Sequence, residues 1–347
     1  EWLNRQVFPW EAKLTPDDIY HLSKLAVMEY LTSGITSNFD MYIQQKNSIA
    51  ATVDTGFRTV LTSGLNNFVD SPEILEEMYN YVNKLSDRTS YLLGFHAEYT
   101  TGGPLLESVA KLAEKYHSPV WTHNAETKSE VEGCKERWGL TPTQLMERLG
   151  MFQYGGGGYH CIWMEDRDFE IFRDRKLTAV TNPSSNLKLA SGCAPVTEMV
   201  KAGMNVALGT DSSASNNNLD LFEEMKAAAL MAKVTSGDPK ALPVEAVLMM
   251  ATACGARAQG REAECGMLKL GMDADLVLLD FTSPHLMPCH NVMSHLVYAA
   301  SGHDVVMTMV RGQVLYAAGK YPTIDLDSVV RELSGYVMPR IFEEARS

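Results

Sequence analysis

The sequence predicts an α/β chain: a (β/α)8 TIM-like barrel whose first strand would precede Glu1, with a small β domain built from the C-terminal segment. Three observations predict it. Short apolar runs ending in polar or glycine-rich clusters alternate with longer stretches of helical period, which means parallel strands joined by crossover helices. Seven such units can be counted as far as Asp211, one short of a closed barrel. Beyond Asp211 the alternation gives way to helices and then to strands linked without crossovers.

In chain order, a helix over 15–32 leads into the first candidate strand, GITSNFD at 34–40. FRTVLTSGL at 57–65 is the second, YLLGFH at 91–96 the third and PVWTH at 119–123 the fourth. A weaker fifth strand, GYHCI at 158–162, follows four consecutive glycines, Gly155 to Gly158. LTAVT at 177–181 is the sixth and MNVALGTD at 204–211 the seventh. Helices are expected between them at 72–85, 103–116, 141–149 and 165–174. Further helices at 218–234 and 243–258 precede three strands within 271–280 and 304–316, the last two joined at a tight Arg311-Gly312 turn. The barrel is therefore expected over 1–264, part of a small β-sandwich domain over 265–325 and a C-terminal helix over 326–347.

Composition narrows the function. The 347 residues are 45% hydrophobic and 21% charged, the balance of a globular protein. A net charge of −13, with no block of Lys and Arg, argues against a nucleic-acid partner. No apolar run is long enough to span a membrane. The six cysteines are scattered without a CxxC pair, as in a reduced, cytoplasmic protein.

In a barrel, polar residues at the C-terminal ends of strands face the active-site mouth. Those residues here are His96, His123 with Glu126, His160, Asn182 and Asn186, and Asp211. One histidine at a strand end is an ordinary hydrogen-bonding residue, and Asp211 could equally cap a helix. Three of the nine histidines with two carboxylates on one rim read as a metal site. His21, His117, His285, His290, His295 and His303 lie away from that rim and read as structural or surface residues.

The ordered motifs FPWEAKLT (8–15), GFHAEYT (94–100), THNAET (122–127), YHC (159–161), NPSSNLKLASG (182–192) and LGTDSSASNNNLDLFEEM (208–225) resemble the amidohydrolase superfamily. The likeness is nearest to its branch of 5-methylthioadenosine and S-adenosylhomocysteine deaminases and chlorohydrolase-like relatives, and it runs over nearly the whole chain. It implies hydrolytic deamination of a purine-like or related amino-heterocycle, in which a hydroxide on one divalent metal, zinc ahead of iron, attacks the ring carbon bearing the amine. It makes His123 and Asp211 metal ligands, Glu126 the acid that protonates the ring nitrogen, and His160 the residue that positions the nucleophile. Asp211 also accepts the proton of the water. Glu11, His96, Glu126 and Asp211 become substrate contacts, and a homo-oligomer, a dimer or higher, is implied. Dechlorination and guanine or pterin deamination use the same metal shell and stay open as alternatives.

Three departures qualify the resemblance. The family's His-x-His metal pair occurs nowhere in the chain and would fall before residue 1. If the protein truly starts at Glu1, the reading becomes an impaired, ligand-binding relative. An arginine expected in a T-R-G-L segment, to hold the substrate's carboxylate, is replaced in Thr62-Ser63-Gly64-Leu65, and no Arg or Lys occurs from Ser63 until Lys84. Finally, Glu98 takes the place of a proline two residues after His96, either to favour a cationic substrate or as a turn residue.

Overall fold

The computed structural model describes residues 5, 7–43 and 45–342. The barrel wall is built in chain order from β1 (Ser37–Tyr42), β2 (Arg58–Ser63), β3 (Thr89–Tyr91), β4 (Leu93–Ala97), β5 (Val120–Asn124), β6 (Gly156–His160), β7 (Thr178–Thr181) and β8 (Asn205–Leu208). Neighbouring strands pair in parallel, β1-β2-β3 in one ladder and β4 to β8 in another. The third expected strand is thus interrupted at Leu92, whose amide donates to the Leu61 carbonyl at 2.9 Å, while the His96 amide donates to Leu65 at 2.9 Å. β3 and β4 occupy one position in the wall, and the described residues supply seven positions. β1 and β8 are the outer strands, with no ladder between them among the described residues.

The glycine run has a packing cause. A Cβ on Gly156 would sit 2.0 Å from the Val120 carbonyl oxygen, and one on Gly157 would sit 2.0 Å from that of Thr178. β6 is squeezed between the main chains of β5 and β7, and only glycine fits. Inside the barrel Phe39, Trp121, Tyr159, Val180 and Ala207 form a packed plug. Phe39 meets Trp121 edge-on at 4.8 Å, and Trp121 stacks on Tyr159 at 5.6 Å. Outside the wall, Leu61, Phe95, Leu106, Phe152 and Phe172 bury the helices against it.

The helix expected over 243–258 is broken at Thr252 into Val244–Ala251 and Ala253–Ala258, because Thr252 adopts φ −128°, ψ −95°. Beyond it, β9 (Leu276–Leu279), β10 (Val305–Val310) and β11 (Gln313–Ala317) form a separate antiparallel sheet in the order β11-β10-β9. The β10–β11 turn has Arg311 at φ 52° and Gly312 at φ 80°, the left-handed pair that a two-residue hairpin prefers. The chain closes with helical turns Leu326–Glu332, Leu333–Val337 and Met338–Phe342; residues 343–347 of the expected C-terminal helix lie outside the described residues. This sheet packs on the helix Pro16–Thr32 through Val27, Leu31, Val305, Val310 and Leu315. A fully buried Arg58 at the start of β2 reaches Asp273 at 2.7 Å and also pairs with Asp275, tying the barrel to the segment that enters β9.

Candidate active site

The strand ends bring His123, His160, Asn182 and Asp211 to one cavity of about 370 Å3, which Tyr42 and Tyr159 also line; Glu11, His96, Glu126 and Asn186 are not among its lining residues. Ala125, His160, Cys161 and Asp211 all have left-handed backbones, with φ of 51°, 69°, 51° and 59°. Non-glycine residues hold such angles at a cost, and they cluster where side chains are aimed for a purpose.

His123 ends β5. Its Nδ1–H donates to the His96 carbonyl at 2.8 Å, so Nε2 keeps its lone pair. Burial, and then the neighbouring His160, hold the imidazole below its usual range and therefore neutral. The bend at Ala125 is fixed by Glu130, whose carboxylate accepts the Ala125 and Glu126 amides at 3.1 and 2.8 Å. Past that bend Glu126 comes within reach of His160, and the Ser191 hydroxyl donates to its Oε1 at 3.2 Å.

His160 ends β6 almost fully buried. Its Nδ1 lies 2.7 Å from Asn186 Oδ1, and its Nε2 lies 3.9 Å from Glu126 Oε2 and 4.0 Å from Asp211 Oδ2. Beyond β8, Asp211 accepts the Ser212 amide on Oδ1 and the Ser185 hydroxyl on Oδ2, both at 2.6 Å. Burial alone would raise this carboxyl, but His160, Ser185, Ser212 and His123 together hold it below the usual carboxylate range. The site thus offers a neutral imidazole nitrogen and an ionised carboxylate, a donor pair suited to a divalent ion, with a carbonyl orienting the imidazole from behind. Among the described residues no three His, Cys, Asp or Glu side chains converge to hold a metal by themselves.

His96 stands beside this group, its ring 4.9 Å from that of His123. Thr100 Oγ1 lies 2.8 Å from its Nδ1, and burial, His123 and His160 push its pKa down to about 3. Glu11 sits at the β1 side, where its carboxyl pairs with the Tyr42 hydroxyl; burial pushes that carboxyl up from the usual range. Glu98 proves to be the turn residue. Its buried carboxylate accepts Arg137 Nε at 3.0 Å, Arg137 Nη2 at 2.5 Å and Trp138 Nε1 at 2.7 Å, so it is committed away from any substrate. Ser63 donates to Asp70 Oδ2 at 2.8 Å. The sequence did not assign Ser185, Asn186, Ser191 or Glu130 to the catalytic groups they hold. The one signal was that the first three crowd into NPSSNLKLASG.

The sequence model of the Amidohydrolase family matches residues 1–315. The 5-methylthioadenosine/S-adenosylhomocysteine deaminase of Caldicellulosiruptor saccharolyticus is 38% identical over 99% of this chain and 80% of its own length. The 5'-deoxyadenosine deaminase of Methanosarcina acetivorans is 42% identical over 96% of this chain and 78% of its own. A crystal structure of an adenosine deaminase from Xanthomonas campestris with bound zinc superposes with a TM-score of 0.93 at 30% identity, covering 98% of this chain and 79% of that one. The zinc complex of an atrazine chlorohydrolase from Arthrobacter aurescens, at 22% identity and a TM-score of 0.87 over 96% of this chain and 80% of its own, shares the fold. The residues gathered at the strand ends and the match over nearly all of the sequence agree: this chain belongs to the amidohydrolase family.

Proposed function

We propose that the chain is a metal-dependent hydrolytic deaminase that converts the exocyclic amine of an adenosine-type nucleoside to a carbonyl, releasing ammonia. The observation that carries this reading is His160 Nε2 within 4.0 Å of both Glu126 and Asp211, beside the free Nε2 of His123, at one cavity. The names of relatives at 38% and 42% identity support the nucleoside class.

His123 Nε2 and Asp211 would hold the metal, with further donors from the His-x-His pair that the resemblance places ahead of residue 1. Zinc suits this nitrogen and oxygen set and is bound in the Xanthomonas relative. A divalent ion there supplies a nucleophile by lowering the pKa of a water to about 7. His160 Nε2 orients that water, and Asp211 takes its proton on a lone pair not used by Ser185 or Ser212. Glu126, held by Ser191, delivers a proton to the ring nitrogen next to the carbon under attack. The Asp211 proton then goes to the departing amine as the C–N bond breaks, and the remaining hydroxyl proton returns to Glu126 as the carbonyl forms, so one water is consumed and one ammonia leaves. His96 and Glu11 contact the substrate, His96 as a neutral ring.

Ser63 and the lack of Arg and Lys before Lys84 favour a 5' substituent without a carboxylate. The resemblance further implies a homo-oligomer, and six free, scattered cysteines suit a reduced, cytoplasmic protein.

The test is ammonia release by the full-length protein from adenosine, 5'-deoxyadenosine, methylthioadenosine, S-adenosylhomocysteine, guanine and a pterin. Glu126→Gln is expected to lower kcat about 10²- to 10⁴-fold with metal content retained. Undiminished turnover by that variant would remove Glu126 as the acid. A higher kcat/KM for S-adenosylhomocysteine than for methylthioadenosine would overturn the assignment of the 5' group.

A further inference from the structure

The segment after β7 touches three of the catalytic groups at once. Ser185 holds Asp211, Asn186 holds His160 and Ser191 holds Glu126. Of these contacts, the one from Asn186 determines what its partner can do. Asn186 is fully buried, in the short helix Pro183–Lys188, and its main chain is pinned at both ends: its amide donates to Asn182 at 2.9 Å and its carbonyl accepts from Ser191 at 2.9 Å.

Two amides reach His160 Nδ1, Asn186 Oδ1 at 2.7 Å and Asn182 Nδ2 at 3.4 Å; an amide oxygen only accepts, so the shorter contact decides for a proton on Nδ1. A neutral imidazole carries one N–H, and Nε2 is then the nitrogen with the lone pair, facing Glu126 and Asp211. Were the amide turned over, its nitrogen would face Nδ1, the proton would move to Nε2, and that atom could no longer accept a hydrogen bond from the water it orients. Asn186 Nδ2 has no hydrogen-bond partner, so the side chain's single bond is the one to His160.

We propose that Asn186 is a positioning residue that keeps the proton of His160 on Nδ1 and thereby presents Nε2 to the attacking water. Its catalytic meaning rests on the deaminase reading, but the tautomer itself does not. In the proposed mechanism Nε2 orients the water by accepting its hydrogen bond while Asp211 takes the other proton, and the Asn186 amide fixes that state of the ring before substrate arrives.

The test uses the full-length, metal-loaded protein with two variants. Asn186→Leu keeps the volume and removes the acceptor; Asn186→Asp keeps an acceptor whichever way it turns. Long-range ¹H–¹⁵N spectra of the histidine rings, with His160 assigned by the signal lost in His160→Gln, report the tautomer without substrate. His160 of the unmodified protein is expected to show Nδ1–H, Asn186→Leu to lose that pattern, and Asn186→Asp to restore it. In turnover, Asn186→Leu is expected to lower kcat by roughly 10- to 100-fold, while KM stays within about threefold. Asn186→Asp recovers most of kcat. The proposal is overturned if His160 carries its proton on Nε2 or if Asn186→Leu leaves the tautomer unchanged. It is also overturned if Asn186→Leu keeps kcat within about twofold of the unmodified value, or if both variants lose activity in step with metal content or melting temperature. If no nucleoside is turned over at all, the deaminase reading fails while the ring spectra still decide the tautomer.

Discussion

Asp40 shows how burial alone gives a residue a pH signature. It lines the cavity and accepts one long hydrogen bond, from Ser48 at 3.4 Å, and burial pushes its pKa up to about 6. The folded value lies above the unfolded one of about 3.9, so this site's contribution to stability is complete below that pH and is lost as pH rises through about 6. Asp40→Asn should therefore stabilise the protein at pH 7.5, by about 1–2 kcal/mol because the carboxyl faces a cavity, and have little effect near pH 4. Urea unfolding at the two pH values measures it; an equal effect at both would reject the assignment. At this scale, His123, Glu126, His160 and Asp211 were legible in the sequence because a strand end dictates where its next residues point. Asn186 was placed on the rim without a partner and Ser185 was not singled out, since a hydroxyl or amide has no partner until the fold brings one. Glu98 was ambiguous for the same reason: Arg137 and Trp138, which claim it, lie some 40 positions along the chain.

Strands were more legible than helices. Most barrel strands are short apolar runs lying near their expected places; β1 begins at 37 rather than 34, β6 at 156 rather than 158, and β3 (Thr89–Tyr91) precedes the one strand expected over 91–96. The helix Gln45–Thr55 was not anticipated, because the face it buries includes Gln45, Ser48, Thr52 and Thr55 beside Ile49 and Ala51. Lys128–Trp138 escaped likewise, burying only Glu130, Val131 and Cys134. Polar residues that face inward erase the apolar stripe on which helical periodicity depends. Gly156 and Gly157, expected just ahead of the fifth strand, form its first residues in the fold. Gly157→Ala should destabilise the protein by about 1–3 kcal/mol, since its methyl would strike main chain that cannot step aside. Gly150→Ala, where a Cβ meets nothing within 4 Å, bears only the cost of its positive φ of 77° and should lose less. Equal losses in chemical denaturation would contradict the packing account.

Across the whole molecule, the barrel and the small sheet share one buried cation. Arg58 is sealed from solvent between Asp273 and Asp275, and Arg311 at the β10–β11 turn also reaches Asp273, at 3.2 Å. Replacing Arg58 with Met strands the buried Asp275, leaves Asp273 only Arg311, and is expected to cost about 3–5 kcal/mol, read as a lower melting temperature. A loss of less than about 1 kcal/mol would mean that the pair is solvated. Removing metal with a chelator should abolish ammonia release and lower the melting temperature, and zinc should restore both. The aromatic plug beneath the site adds a practical consequence. Trp121 is stacked on Tyr159, and the Tyr159 ring lies 5.5 Å from that of His123. The indole is therefore an optical gauge built one ring away from a proposed metal ligand. Its emission should change as zinc is titrated into metal-free protein, and Trp121→Phe should silence that change while leaving the other four tryptophans alight.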